Sequence, residues 1–82
     1  MEQLVYSPKS LGSAIKRVRK TKKLSQSEAG APFKLEQSTV SGIEQGVPGT
    51  RIETLFRILA ALDLEIVIRP KKESSPKTES SW

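Results

Sequence analysis

Residues 24–46 read LSQSEAGAPFKLEQSTVSGIEQG and carry the signals for two short helices joined by a tight turn. Ser25 and Glu28 have the spacing of a capping box, in which each side chain satisfies a backbone donor near the other, so a helix is predicted to begin here. This helix must be short, because Pro32 removes a backbone hydrogen bond and cannot lie deep within a helix.

The second helix of this stretch is predicted from Gln37 to Gln45. Val40 and Ile43 lie about one helical turn apart and are expected to face the core. Gly46 is well placed to end the helix, and a turn at Lys34 joins it to the preceding helix. Two short helices with a tight turn between them, preceded by a basic helix, form the frame of a helix-turn-helix DNA-binding unit.

Two further helices are predicted, one on each side of this unit. The first has Ser7 as its N-cap and Pro8 at its first position, and it runs from about residue 8 to residue 22. The fourth helix is predicted to begin at a second capping-box spacing, Thr50 with Glu53, and to end near Leu62. Apolar residues at helical spacing form the expected core faces, which are Leu11, Ala14, Ile15 and Val18 in the first helix and Ile52, Leu55, Phe56, Leu59 and Leu62 in the fourth.

A single strand is predicted after the fourth helix, from Leu64 to Arg69, where β-branched residues cluster before Pro70. A lone strand leaves its backbone groups unpaired, and no other strand is predicted in the chain. Its economical partner is the same strand of a second chain, antiparallel about a two-fold axis; docking on a helix or on a foreign sheet is the alternative. The sequence thus predicts a mainly α fold, a helix-turn-helix domain of four helices plus one C-terminal strand that pairs across a homodimer through Leu64, Ile66, Val67 and Ile68.

The composition restricts the classes of function that the chain can have. It has 82 residues with no cysteine and no histidine, which excludes disulfides, thiolate or imidazole metal sites and catalysis that needs an imidazole base. We therefore expect no enzyme activity, no metal and no cofactor. No apolar stretch is long enough to span a bilayer and the start lacks a secretory signal, so we expect a cytoplasmic protein with no membrane partner.

The positive charge is concentrated at one end of the chain. Residues 1–23 carry seven Lys or Arg and one acidic residue, whereas residues 24–69 carry four basic and six acidic residues. A basic block beside a nearly neutral region indicates a polyanionic partner, although a solvated helix face is the alternative. The expected organisation is a leader at residues 1–6, a dimerisation and DNA-binding domain at residues 7–69, and a disordered polar tail at residues 70–82.

The helix that begins at Gln37 is expected to enter the major groove of double-stranded DNA with its N-terminal part. Gln37 is the strongest candidate for reading a base, since an amide can make a bidentate pair with adenine; a solvated surface glutamine is the alternative. Glu36 is expected to be a cap that points away from the phosphates. Short polar side chains in this helix can bond to bases or phosphates. The amides at the start of the preceding helix attract a phosphate, and nearby lysines add non-specific attraction to DNA. The predicted DNA-binding residues are Gln26, Ser27, Gln37, Ser38, Thr39, Ser41, Lys22, Lys23 and Lys34.

The motif resembles the lambda-repressor-like helix-turn-helix family, over about residues 9–64. The resemblance is carried by LSQSE at residues 24–28, QSTVSGIEQG at residues 37–46 and IETL at residues 52–55. Three residues depart from the family pattern: Ala29 replaces a leucine, Pro32 interrupts the end of the second helix, and Lys34 replaces the turn glycine. Lys34 is therefore expected to adopt a left-handed conformation at some cost. The resemblance also implies that Arg19 and Glu44 form an internal salt bridge.

A closer resemblance is to HipB-type antitoxins. It is carried by the leader LVYSP at residues 4–8, the strand after the fourth helix, and a polar tail that ends in Trp82. The resemblance implies a homodimer that binds a palindromic operator and represses its own operon, and that is associated with the nucleoid while bound there. It also implies that the homodimer neutralises a HipA-type serine/threonine kinase toxin.

Trp82 is a large apolar side chain at the end of the expected polar tail, with no local core to join. Exposed side chains of this kind are typical of interface hot spots in the unbound state. The resemblance implies that it inserts into the toxin, and a chance terminal residue is the alternative. Two other functions stay open for the whole chain. It is either a stand-alone repressor without a toxin, or a protein-only adaptor that has lost DNA binding.

Overall fold

The computed structural model describes residues 2–71 of the chain. Four α-helices follow one another, with one short 3-10 turn between the second and the third. The elements are α1 (Pro8–Thr21), α2 (Gln26–Gly30), the 3-10 turn (Ala31–Phe33), α3 (Gln37–Gln45) and α4 (Ile52–Ala61). The predicted helices are confirmed: α3 has the predicted bounds, and α1 and α4 each end one residue earlier than expected.

The first two helices begin at side-chain caps. Ser7 precedes Pro8 and accepts a hydrogen bond from the Ser10 amide, while the Ser10 hydroxyl accepts one from the Ser7 amide. At α2, the Ser25 hydroxyl accepts from the Glu28 amide at 3.0 Å and Glu28 Oε1 accepts from the Ser25 amide at 2.8 Å. Each cap satisfies backbone donors that a helix start otherwise leaves unpaired. The caps predicted at Ser7 and Ser25 are both confirmed.

The other two helices begin without a side-chain cap. Glu36 occupies the N-cap position of α3, but its side chain makes no capping hydrogen bond, so only its predicted position is confirmed. The capping box expected at Thr50 is wrong, because α4 begins at Ile52 and Arg51 takes the N-cap position. Glu53 instead faces Arg57 one turn along α4, with 3.5 Å between the charged atoms. The capping-box spacing therefore placed the start of α4 one residue too early.

The turn between α2 and α3 closes through a left-handed residue. Lys34 has φ 58° and ψ 40°, as expected from its replacement of a glycine. Its amide donates to the Ala31 carbonyl oxygen at 3.1 Å, and the Leu35 amide donates to that of Gly30 at 3.0 Å. These bonds satisfy carbonyl groups at the end of the short helix and reverse the chain toward α3.

The core is small and is formed by residues from all four helices, with Ala29 of α2 among its buried members. Helix α1 crosses α3 at Gly12, where the two backbones are nearly in contact. A Cβ atom at position 12 would lie 2.5 Å from the Glu44 carbonyl oxygen and closer still to that of Ile43. This close approach fixes α3 against α1. The buried apolar residues are Ile15, Ala29, Val40, Ile43, Ile58, Leu59 and Leu62.

The expected apolar face of α4 is only partly buried. Ile52 and Phe56 are 68% and 52% exposed, so their assignment to the core is wrong. They lie four residues apart and share one side of α4, while Ile58, Leu59 and Leu62 turn toward the other helices. The core uses only one side of α4, whereas the apolar pattern of the sequence covers two sides of this helix.

The predicted strand is absent from residues 2–71, because a strand is defined by a backbone partner and a single chain offers none. Leu64 packs against the core, whereas Ile66, Val67 and Ile68 are 49%, 69% and 94% exposed. Three consecutive large apolar residues are thus left in water. No helix of the described residues is long and apolar enough to cross a membrane.

Candidate nucleic-acid interface

The start of α3 is the exposed part of the helix-turn-helix unit. Gln37 and Ser38 are exposed, and Thr39 and Ser41 are partly buried. The Ser41 hydroxyl accepts a hydrogen bond from Gln45 Nε2 at 3.0 Å within α3. Val40 and Ile43 lie in the core on the opposite side of the helix, as predicted. The structure therefore places Gln37 and Ser38 on the outer surface of α3, with Thr39 and Ser41 half-buried beside them.

Gln37 is joined to α2 by a pair of amides. Its Nε2 donates to Gln26 Oε1, and Gln26 Nε2 donates in turn to Glu44 Oε1 at 3.1 Å. Gln26 is partly buried and stands in the first turn of α2, so the two helices of the motif are linked side chain to side chain. The sequence named both glutamines as DNA-binding residues, but nothing in their spacing indicated that they bond to each other.

Glu44 and Arg19 form the buried end of this chain of hydrogen bonds, and both residues are 8% exposed. Arg19 Nε lies 2.5 Å from Glu44 Oε2, and its Nη2 donates to Glu44 Oε1 at 2.9 Å. Its Nη1 donates to the Leu24 carbonyl oxygen at 2.9 Å. A bidentate arginine–carboxylate pair has this fork geometry and restricts both side chains. The internal salt bridge implied by the resemblance is confirmed.

The ion pair also changes the proton affinities of its members. The hydrogen bonds to Glu44 raise the pKa of Arg19 above its ordinary value, against an opposing effect of burial. Burial alone would raise the pKa of Glu44, but the hydrogen bonds from Arg19 and Gln26 and the charge of Arg19 bring that pKa below its ordinary value. Glu44 is therefore a carboxylate at neutral pH, and it accepts hydrogen bonds without donating any.

The predicted phosphate-binding residues outside α3 are all exposed. Lys22 and Lys23 are exposed in the link between α1 and α2, and Lys23 has a left-handed backbone with φ 59°. Lys34 is exposed three residues before Gln37, and Ser27 is exposed in the first turn of α2. The structure thus leaves these four side chains accessible from solvent, in the link before α2, in α2 itself and in the turn after it.

One basic residue near α3 was not predicted. A shallow depression beside the helix is lined by Ser38, Thr39 and Gly42 on one side and by Arg51 and Thr54 on the other. Arg51 is exposed at the start of α4, where backbone amides also lack helical partners. The only signal in the sequence was a basic residue next to a predicted helix start, and this signal is too common to be informative.

The leader and the C-terminal segment lie close to each other. Lys71 Nζ is 5.2 Å from the centre of the Tyr6 ring, and Arg17 Nη1 on α1 donates to Gln3 Oε1 at 3.0 Å. Leu4 and Tyr6 are 57% and 65% exposed, so the leader adds to the apolar surface outside the core. Trp82, the predicted toxin-binding residue, lies outside the described residues.

Comparisons with known proteins agree with this geometry. A helix-turn-helix family model matches residues 15–68. Antitoxin HipB of Escherichia coli strain K12 is 34% identical over 76 residues, which cover 93% of this chain and 86% of that protein. A structure of a HipA-HipB-O2-O3 complex contains a chain that is 34% identical, with a TM-score of 0.80, over 87% of this chain and 100% of that chain. A HipB complex with the O4 20mer gives a TM-score of 0.81 at the same identity and coverage. The chain therefore belongs to the helix-turn-helix family of DNA-binding transcription regulators, in its branch of HipB-type antitoxins.

Proposed function

We propose that the chain is a homodimeric autorepressor that reads a palindromic operator with α3 and also binds and neutralises a HipA-type kinase toxin. The observation that carries the DNA-binding part is the exposed Gln37 amide, held by Gln26 at the start of α3. The N-terminal part of such a helix faces base edges when it lies in the major groove. An anchored amide at this place is suited to read a base.

Gln37 retains the groups that adenine requires. One of its amide hydrogens is bonded to Gln26, which leaves the other hydrogen and the side-chain oxygen free. Adenine offers an acceptor at N7 and a donor at N6 in the major groove, so the free pair of atoms is complementary to it. Ser38, Thr39 and Ser41 contribute contacts to bases or phosphates. Ser27 and the lysines at positions 22, 23 and 34 bind phosphates.

The homodimer is supported by the apolar surface that one chain leaves exposed. Val67 and Ile68 follow Leu64, which packs on the core, so the segment is anchored at its beginning and free along its length. Pairing with the same segment of a second chain satisfies its backbone groups and covers these side chains. Two copies related by a two-fold axis would present their α3 helices to half-sites about one turn of DNA apart, roughly 34–36 Å.

The toxin partner is supported by the relatives. The HipB chain of the HipA-HipB-O2-O3 complex shares the fold of this chain at 34% identity. In this proposal Trp82 is the toxin-binding residue, and residues 70–82 are a tail that operator binding does not require. Substitution Trp82→Ala should weaken binding of a HipA-type kinase and leave the affinity for DNA unchanged. Equal kinase binding by both proteins would contradict the role of Trp82.

Base readout is tested by comparing two substitutions on the DNA upstream of the chain's own gene. Gln37→Ala should cost about 1–3 kcal/mol and relax preference at one base pair, because it removes a bidentate contact. Lys23→Ala is the control: it should weaken binding to all sequences alike and lower the salt slope by about one. Titrations at several stated salt concentrations measure both effects. Unchanged selectivity of Gln37→Ala would remove Gln37 from the readers.

The same titrations separate the other candidate functions. A wild-type chain that binds its upstream DNA no better than a random duplex would be a protein-only adaptor. A chain that binds this DNA selectively, but whose neighbouring gene encodes no kinase that it captures, would be a stand-alone repressor. Selective DNA binding together with capture of the kinase supports both parts of the proposal.

A further inference from the structure

We infer that Glu44, which is buried behind α3, is a positioning residue that determines which base Gln37 prefers. This inference rests on the proposed function, because it assumes that Gln37 reads a base. Glu44 acts through Gln26: it sets the direction in which the hydrogen bonds run from the core to the surface. The direction then decides which atoms of the Gln37 amide are left for DNA.

The first step is the chemistry of Glu44. A carboxylate has no hydrogen to donate, and both of its oxygens are already occupied by donors. Oε2 accepts from Arg19 Nε, and Oε1 accepts from Arg19 Nη2 and from Gln26 Nε2. Of the two ends of the Gln26 amide, only the nitrogen can bond to this group. Presenting the oxygen instead would leave a partly buried amide oxygen facing a negative charge.

The second step follows at the other end of the same amide. With Nε2 directed at Glu44, the Gln26 oxygen is directed at Gln37 and requires a donor there. Gln37 can supply this donor only from its Nε2, which leaves its oxygen and one amide hydrogen free. These two atoms match the donor and the acceptor of adenine, whereas guanine offers two acceptors, at O6 and N7, in the same groove.

The reverse direction would change the preference. If Gln26 turned its amide over, Nε2 of Gln26 would donate to the oxygen of Gln37, and both amide hydrogens of Gln37 would become available. Two hydrogens suit the two acceptors of guanine better than they suit adenine. The carboxylate of Glu44 prevents this arrangement, and the fork of Arg19 holds the carboxylate in place. Discrimination between adenine and guanine is therefore determined from within the core.

The direct test is Glu44→Gln, whose amide has nearly the same shape and can either accept from Gln26 or donate to it. Wild-type protein and variant select duplexes from the same random pool, and binding is then measured with each of the four base pairs at the position that Gln37→Ala identifies. One bidentate contact provides about 5- to 150-fold discrimination. Glu44→Gln should reduce the ratio of adenine to guanine affinity at this position several-fold, with other positions unaffected.

A second variant covers the case in which Glu44→Gln does not fold. Gln26→Met keeps the bulk of the side chain and leaves the Arg19–Glu44 pair intact, but it cannot hold Gln37. It should reduce the same ratio several-fold, and it should have no further effect on that ratio when combined with Gln37→Ala. Ser27→Ala is the matched control, because Ser27 is next to Gln26 in α2 and outside the chain of hydrogen bonds. It should lower affinity and leave the ratio unchanged.

The outcomes distinguish this inference from the proposed function. Reduced adenine preference in Glu44→Gln, or in Gln26→Met if Glu44→Gln does not fold, supports the role of Glu44 when the ratio is unchanged in Ser27→Ala. A selective wild-type protein whose folded Glu44→Gln variant keeps the full ratio would overturn it and leave the proposed function standing, and so would an unchanged ratio in Gln26→Met. A wild-type protein that selects no sequence from the pool contradicts the proposed function itself, and with it the role of Glu44.

Discussion

Gly12→Ala should destabilise the fold strongly, although alanine is the better helix former. Gly12 lies in the middle of α1, where the helix crosses α3. A methyl group at this position would lie 2.5 Å from the Glu44 carbonyl oxygen and 2.8 Å from its carbon, and nearer still to the Ile43 carbonyl oxygen. All three are backbone atoms, so no side-chain rotation relieves the overlap and the two helices must separate.

The expected magnitude is the difference of two effects. Replacing glycine by alanine within a helix contributes up to about 1 kcal/mol to stability. Overpacking costs typically about 1–3 kcal/mol, and more when the backbone itself must shift. With three backbone contacts at position 12, the upper end applies, and we expect a net loss of about 2 kcal/mol. For a chain of this size this loss lowers Tm by roughly 8–16 °C.

Gly42→Ala provides the matched control, because it makes the same substitution in α3. The nearest atom to a Cβ there is Val47 Cγ2 at 3.3 Å, and Val47 is 44% exposed and free to move. This variant should be as stable as the wild type or slightly more stable. Thermal unfolding by circular dichroism at one fixed protein concentration compares the three proteins, since the proposed dimerisation would make Tm depend on concentration. If Gly12→Ala melted within a degree or two of Gly42→Ala, the close approach of α1 and α3 would be disproved.

Three further predictions concern stability and assembly. The pKa of Glu44 is lowered in the folded chain, so its ion pair contributes its full stabilisation above the pKa of the unfolded chain, about 4.3. This stabilisation is lost as the pH falls through the lower pKa of the folded chain. Urea titrations across this acid range should therefore show a steeper loss of stability in the wild type than in Glu44→Gln. Lys34→Gly should stabilise the fold by about 1 kcal/mol and raise Tm in thermal unfolding, since it removes a side chain from a left-handed residue. A lower Tm would show that the turn is not strained. Ile68 is 94% exposed in one chain and is covered by the second chain in the proposed dimer. Ile68→Glu would bury a charge in that interface, so it should give a folded monomer in sedimentation experiments, while Ile68→Val should remain dimeric. Dimers of unchanged stability in Ile68→Glu would exclude the segment from the interface.

Local signals predicted most of the helical structure. The caps at Ser7 and Ser25 and the stop at Gly46 act through atoms within a few residues in the sequence, so the spacing of residue types was sufficient to find them. The left-handed turn at Lys34 and the buried Arg19–Glu44 pair were expected from the resemblance to the family. The predicted start of α4 was wrong by one residue, because the spacing of a capping box does not show whether the side chain makes a hydrogen bond to the backbone.

The expectations that failed concern which sides of the helices meet. Ile52 and Phe56 continue the apolar pattern of α4, yet the core needs only one side of this helix and leaves both of them exposed. The segment from Leu64 to Arg69 is a different case: one chain forms no strand there, and its pairing with a second chain stays a prediction.

The sequence by itself determined the helices, the turn and the polar residues at the start of α3, since each depends on neighbours along the chain. Tertiary structure alone decided the near contact of α1 and α3 at Gly12 and the chain of hydrogen bonds from Glu44 through Gln26 to Gln37. Gln26 and Gln37 are eleven residues apart, and Glu44 is eighteen residues from Gln26. Which atoms of distant side chains meet depends on how the helices pack, and packing is fixed by the fit of the whole core rather than by any local pattern.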